Sequence, residues 1–455
     1  MSRKETAEKK IRIGIIGGGA SGMMAAVAAA RTVSAQCGTG GGKAARGRAG
    51  IVILEKKERI GKKLLATGNG RCNLTNLDFD LEHPEKYYRG GEAERLGRYF
   101  ERFGVKETLE AFYGMGMLTM DRNGYVYPRS QQAATVLDVL RFELERLGVE
   151  LETECQITGI EALDGGKGGF VVRMGRESRF FHRLILSCGG PAGEKQGGMD
   201  GFQYAACLGH TVTPLHPALV QLRCKGDFWK SLAGVRADAA LEMEVKEKTG
   251  RPGGAGEEGD GSVSCYRERG EVQLTDYGIS GIPVFQLSRY AAQALAQGGD
   301  VRVKLDFLPE LPGGREWEDW CRRRMDTYEG RSAQELFAGL VNKKILQTLM
   351  RLHGLKAETV LESGERQAVW AVLMKLRSFP LRVSGANPFV NAQVCAGGIP
   401  LREVTEGMES RVCPGLYLAG ELLDVDGICG GYNLQWAWTS GYLAGCAAAR
   451  SLLKD

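Results

Sequence analysis

The most constraining stretch of this chain is its start. Residues 11–16 (IRIGII) are a short, β-branched apolar run of the kind that forms a buried parallel strand. The run leads directly into GGGASG at 17–22 and then into MMAAVAAA at 23–30, an unbroken helix former. Strand, glycine turn and helix in this order make a dinucleotide fingerprint. Gly17 permits the tight turn, Gly19 lets a pyrophosphate approach the backbone, and Gly22 lets the helix pack on the strand. Ala20 and Ser21 complete the turn at a helix N-terminus, whose free N–H groups and dipole favour phosphate. A second strand, 50–54, ends in Glu55, a carboxylate suited to the ribose hydroxyls of an adenosine. Glu55 follows Gly22 by more than the usual spacing of about 20 residues. A glycine- and basic-rich insert at 32–49 accounts for the excess.

Glycine makes up 65 of the 455 residues, about twice the ordinary share. The surplus has no collagen period, and 43% hydrophobic residues exclude a disordered chain. Part of it lies in three surface inserts, 32–49, 164–169 and 249–261, and part in the segments described below. The net charge of +5 is too small to imply nucleic acid by itself. Twelve cysteines with no CxxC pair, and a charged N-terminus, predict a reduced cytoplasmic protein without zinc ribbons. No apolar run is long enough to span a bilayer, so no membrane partner is expected.

Alternating segments between 218 and 308 predict an antiparallel domain, and 316–376 carries helical period instead. A buried strand returns at 415–419 and a terminal helix at 433–453. The predicted organisation is therefore a nucleotide-binding domain at 1–215 and 385–455. It is interrupted by a β-rich domain at 216–312 and a helical domain at 313–384.

Three further segments carry site signals. Residues 59–76 (RIGKKLLATGNGRCNLTN) combine positive charge with a glycine and asparagine turn whose N–H groups could meet phosphates or a flavin ring. A solvated basic loop is the competing reading, and Cys72 alone is more often a small buried side chain than a redox centre. Residues 183–190 (RLILSCGG) form a strand ending in glycines. Residues 415–445 give a strand, an acidic loop, a double glycine and a helix. A helix N-terminus near 431–433 would stabilise an anionic reduced ring. Asp424 and Asp426 lack a third oxygen ligand, so no metal is expected.

GGGASG (17–22), TGNGRCNLTN (67–76), YPRSQQAATVLDVL (127–140), LGHTVTPLHPALV (208–220), LTDYGISGIPVFQLS (274–288) and the block 414–445 occur in one order. Together they resemble the BaiN/YhiN-like flavoproteins over nearly the whole chain. The resemblance implies an α/β fold: a glutathione-reductase-style FAD-binding Rossmann domain with an inserted β-barrel-like domain and an inserted helical domain. It implies that Gly17, Gly19, Ala20, Ser21 and Gly22 hold the FAD pyrophosphate, with Glu55 on the ribose and Lys56 and Lys62 nearby. Thr67, Gly68, Asn69, Gly70, Arg71, Cys72 and Asn73 would line the phosphates and flavin. Gly189, Gly420, Glu421, Asn433 and Leu434 would lie by the ribityl chain and ring, and the backbone at Ile157 would meet adenine. Ser187-Cys188 stands where the family usually has alanine-threonine.

A second GxGxxG after a strand is absent, as is the CxxxxC pair of dithiol relays. The simplest scheme is a flavin reduced transiently by NAD(P)H that passes hydride to an alkene conjugated to a ketone. The resemblance suggests 3-oxo-Δ4 and 3-oxo-Δ4,6 bile acid intermediates of 7-dehydroxylation, as free acids or CoA thioesters. Tyr432 and Tyr277 are candidate proton donors, since a phenol can supply a proton without being charged. A structural role competes for each, and His216 reads as a packing residue. Two other classes stay open. One is an amine oxidase producing peroxide; the other is an RNA-associated flavoprotein. Only the basic cluster Lys56, Lys57, Arg59, Lys62, Lys63 and Arg71 favours RNA.

Overall fold

The computed structural model describes residues 11–36, 49–195, 197–248, 262–362 and 364–454. The insert read at 249–261 and residues 37–48 of that at 32–49 lie outside them. The chain divides into two compact units, Met1–Leu215 with Val394–Asp455, and His216–Gln393.

The first unit is built on a five-stranded parallel sheet. Its order is Leu416–Leu418, Arg183–Leu186, Ile11–Ile16, Ala49–Leu54 and Glu150–Glu152. The inner strands Ile11–Ile16 and Arg183–Leu186 and their neighbour Ala49–Leu54 are short and mostly apolar, as expected when both faces are covered, whereas the edge strand Glu150–Glu152 is largely exposed. Helix Ala20–Gln36 extends beyond the run read from sequence. It is buried almost all round, with Met23, Ala25, Ala26 and Ala29 fully covered. A helix with apolar residues on every side must be enclosed, and here the enclosing partner is the terminal helix Tyr432–Lys454. Glycines let the two backbones nearly touch: a Cβ on Gly441 would fall 2.3 Å from Ser21 O, and one on Gly445 would fall 2.1 Å from Ala25 O. At Gly22 the same addition would meet Gly17 O at 1.9 Å.

The second unit contains a closed barrel. Its order is Leu222–Cys224, Gly278–Ser280, Val263–Leu274, Arg236–Lys246, Asp300–Asp306 and Phe379–Ala386. Ala239, Leu241, Met243 and Val245 alternate inward along Arg236–Lys246, the period-two pattern of a strand with one covered face. Helix Ile282–Ala296, which the alternating pattern of 218–308 did not suggest, buries Val284, Leu287 and Ala291. Helices Gly314–Thr327, Ala333–Phe337, Lys343–Leu352 and Arg366–Arg377 fall between the fifth and sixth strands in that order. Leu336, Leu349 and Leu373 join Val272, Leu305 and Leu381 in one core. The helices expected as a domain of their own at 313–384 thus share the barrel's core. The barrel's final strand runs past 384 to Ala386. Among the described residues no helix is long and apolar enough to cross a membrane.

Gly441→Ala puts a methyl group against backbone that cannot move aside. It is expected to destabilise the protein by about 1–3 kcal/mol, seen as a lower urea midpoint. An unchanged midpoint would contradict the helix contact.

Candidate functional site

The fingerprint loop is held from three sides. Gly17 N donates to Leu54 O at 2.9 Å, and Gly18 O accepts from Gly61 N at 2.9 Å. Glu55, almost fully buried, accepts from Gly18 N through Oε2 at 2.8 Å and from Lys57 N through Oε1 at 2.9 Å. The carboxylate expected on a ribose therefore also braces the turn before the helix. Gly17 has φ +104°, a conformation that L side chains rarely adopt, and a Cβ there would meet Ser187 O at 2.5 Å. Gly19 differs from its neighbours: nothing lies within 4 Å of a Cβ built on it. The loop is tight at Gly17 and Gly22 and open at Gly19, where the helix N-terminus begins.

The strand end at 187–190 packs on this loop. Ser187 Oγ donates within 3.0 Å of Ile16 O and Gly17 O, which gives the Ser187 departure a structural use. Burial pushes the Cys188 thiol up to about 12, against the opposing effect of Lys56. Burial likewise raises Cys72 to about 12, with the Thr67 hydrogen bond working the other way. Neither is a thiolate at neutral pH, and reactivity belongs to the thiolate.

Glu421 ties separate segments together. Its Oε2 accepts from Gly190 N at 3.0 Å and pairs with Lys63 Nζ at 2.5 Å, while Oε1 accepts from Cys395 N at 2.8 Å. Gly189, just before, has open space toward Glu421 Oε2 at 3.8 Å. Gly420 N donates to Ser440 Oγ at 2.9 Å. A Cβ on Gly420 would meet Ser21 Oγ at 2.5 Å. Gly17, Ser21, Gly22, Glu55, Gly189, Gly420 and Glu421 are thus brought together at one end of the sheet.

A second cluster forms at the N-terminus of helix Tyr432–Lys454. Residues 67–72 make a turn, exposed at 68–71 and buried at Cys72, in which Gly68, Asn69, Gly70 and Cys72 all have positive φ. It closes through Cys72 N donating to Thr67 O at 3.1 Å. Asn73 follows, and its buried Oδ1 has no hydrogen-bond partner. A Cβ on Gly431 would lie 2.9 Å from that oxygen. Asn433 Nδ2 donates to Gly427 O and its Oδ1 accepts from Gly427 N, both at 2.8 Å, and Leu434 is half-buried. A buried polar chain fixes the helix to this loop. Thr75 Oγ1 donates to Gln435 Oε1 at 2.6 Å, and Gln435 Nε2 donates to Thr108 Oγ1 at 2.9 Å. Sequence reasoning placed Lys63 only in a basic cluster and did not single out Gln435 or Thr108, because nothing in their local pattern distinguishes them.

Several expected positions have other engagements. Lys56 pairs with Asp200 at 3.0 Å, Lys57 with Glu194, and Lys62 with Glu58 at 2.5 Å. With Lys63 on Glu421, most of the basic cluster read at 56–71 is already neutralised within the chain, leaving Arg59 and Arg71 exposed. Ile157 O accepts from Tyr204 Oη at 2.9 Å. Tyr432 is buried and stacked on Tyr87 with ring centroids 5.0 Å apart. Burial, reinforced by Tyr87, raises its phenol well above the ordinary range. Tyr277 belongs to the second unit, where its Oη accepts from Asn387 Nδ2 at 2.9 Å.

Residues 11–447 match the model of the HI0933-like protein Rossmann domain. The chain belongs to this family. The resemblance of the sequence to BaiN/YhiN-like flavoproteins is thereby borne out: the sheet with its fingerprint is a Rossmann-type FAD-binding domain, and the chain also forms a closed barrel. The chain is 44% identical over 442 residues to the 3-dehydro-bile acid delta(4,6)-reductase of Clostridium scindens, covering 96% of this chain and 99% of that protein. It is 23% identical to the ribosomal RNA dihydrouridine synthase of Haemophilus influenzae, over 96% and 98% of the two chains. Among solved structures, the 3-ketosteroid delta1-dehydrogenase of Sterolibacterium denitrificans aligns with TM-score 0.46 at 13% identity, over 96% and 99% of the chains.

Proposed function

We propose that this family member is a FAD-dependent oxidoreductase. In this reading it uses NAD(P)H to reduce C=C bonds conjugated to a ketone in 3-oxo-Δ4 and 3-oxo-Δ4,6 bile acid or related steroid substrates. The observation that carries this reading is the near full-length, 44% identity to a protein named as a bile acid delta(4,6)-reductase.

The residues present suit the cofactor. The open position at Gly19 beside a helix N-terminus suits a pyrophosphate. The partnerless Asn73 Oδ1 at the N-terminus of Tyr432–Lys454 suits a donor on a bound flavin. Gly17 to Gly22 would hold the phosphates and Glu55 the ribose. The loop 67–73 with Gly189, Gly420, Glu421, Asn433 and Leu434 would hold the ribityl chain and ring. Bound there, FAD supplies hydride transfer from a nicotinamide donor to an activated alkene. The protein's part is to orient and to move a proton. Tyr432 serves as the donor, since its burial keeps the phenol protonated across the physiological range. The eleven described cysteines are free thiols, which supports a reducing, cytoplasmic setting.

A second reading has one observation in its favour, the weaker likeness to a ribosomal RNA dihydrouridine synthase. That name also implies saturation of a C=C bond conjugated to a carbonyl, so the chemistry agrees and the substrate differs. The ion-paired state of Lys56, Lys57, Lys62 and Lys63 weighs against an RNA-binding basic patch there.

Anaerobic mixing of the NAD(P)H-reduced holoenzyme with unsaturated 3-oxo steroids is expected to restore the oxidised flavin spectrum. Reoxidation by RNA uridines or by oxygen alone, with steroids inert, would overturn the reading. Tyr432→Phe is expected to lower steady-state turnover by about 10²-fold or more with FAD content unchanged. Equal rates would remove Tyr432 from the chemistry.

A further inference from the structure

A buried oxygen in the first unit is left without the hydrogen bond it needs. Asn73 Oδ1 is shielded from solvent and has no hydrogen-bond partner, although buried polar atoms are ordinarily paired. The backbone on either side of it is pinned. Cys72, at φ +59°, closes its turn by donating from N to Thr67 O at 3.1 Å, and Leu74 N donates to Val126 O at 2.8 Å.

The oxygen faces the start of helix Tyr432–Lys454. Gly431 O accepts from Gln435 N at 2.9 Å as the helix begins. A Cβ on Gly431 would fall 2.9 Å from Asn73 Oδ1 and 2.7 Å from Thr75 O, so glycine there keeps the oxygen uncovered. A helix N-terminus offers free N–H groups, yet Asn73 Oδ1 accepts from none of them. Those groups are left for an acceptor or a negative charge at the same place.

A group that fills this corner must bring an N–H or O–H donor for Asn73 and an acceptor for the helix. FAD narrows the choice, because its pyrophosphate and the ring atoms O2 and O4 only accept. The imide N3–H of the ring is a donor in both the oxidised and the reduced form, and it is flanked by the acceptors O2 and O4. The Asn73 amide carries an N–H donor group beside its oxygen. Amide and imide therefore match as a donor–acceptor pair, which a single ribityl hydroxyl does not.

We infer that Asn73 is a positioning residue for the flavin, its Oδ1 accepting from the N3–H of the ring. The inference rests on the flavin reading of the first unit and on no placement of the substrate. It names, within the segment 67–73, the residue that recognises the ring and the ring atom that is recognised. Because N3 keeps its hydrogen in both redox forms, the bond holds the ring throughout turnover.

The test is a binding titration of the full-length protein, freed of flavin, with three cofactors. These are FAD, 3-methyl-FAD, whose N3 carries no hydrogen, and 2′-deoxy-FAD, which lacks the ribityl hydroxyl nearest the ring. Wild-type protein is expected to bind 3-methyl-FAD about tenfold more weakly than FAD. Asn73→Ala is expected to bind FAD about tenfold more weakly than the wild type does, and to bind FAD and 3-methyl-FAD alike. The ratio is read within each protein, so a general loosening of the site, which weakens every flavin, does not imitate this result. Wild-type protein that treats FAD and 3-methyl-FAD alike, or Asn73→Ala protein that still separates them, would overturn the inference. So would a preference for FAD over 2′-deoxy-FAD that Asn73→Ala abolishes in place of the N3 preference. Wild-type protein that binds none of the three would instead overturn the flavin reading itself.

Discussion

The first unit depends on the near-contact of two helix backbones. Ala20–Gln36 follows the fingerprint, Tyr432–Lys454 is the last helix, and Gly441 and Gly445 let the second lie against the carbonyls of Ser21 and Ala25. Backbones cannot approach this closely across side chains. These two helices, far apart in sequence, both pack on the sheet. The chain between them also forms the second compact unit, His216–Gln393.

The same contact brings the chemistry together. Gly420 sits where its Cβ would strike Ser21, so the loop before the last helix is drawn onto the fingerprint turn. Glu421 then gathers Gly190, Cys395 and Lys63 around one carboxylate. Glu55 does the corresponding work on the other side through Gly18. Removing either carboxylate leaves the backbone donors that it accepts from without their partner, which costs stability. The open Gly19 and the partnerless Asn73 Oδ1 stand out against this well-satisfied background.

What could be read from the sequence was the chemistry carried by residue identity. Gly17 and Gly22 are legible because only glycine meets their backbone demands, and Gly19 because the fingerprint leaves that position open for a phosphate. The barrel is legible because Ala239, Leu241, Met243 and Val245 alternate. Helix Ile282–Ala296 was not, since it begins with IPVF, a run that reads equally as strand. The partners of Lys56, Lys57 and Lys63 were also out of reach. Asp200, Glu194 and Glu421 lie 144, 137 and 358 positions away, so the basic cluster looked unneutralised. Nor could a helical domain at 313–384 be told from helices sharing the barrel's core, because a shared core depends on contacts distant in sequence.

The central claim is that the first unit is a flavin site whose pyrophosphate lies at Gly19. Gly19→Asp tests it most directly, because the position has free space and no positive φ, so the fold should tolerate the side chain. The carboxylate would nevertheless occupy and repel the phosphate position. The measurement is the flavin absorbance of purified protein titrated with FAD, alongside its circular dichroism. The account predicts a folded protein whose FAD affinity falls by about 10²-fold or more. A folded Gly19→Asp protein that keeps wild-type FAD affinity would contradict it.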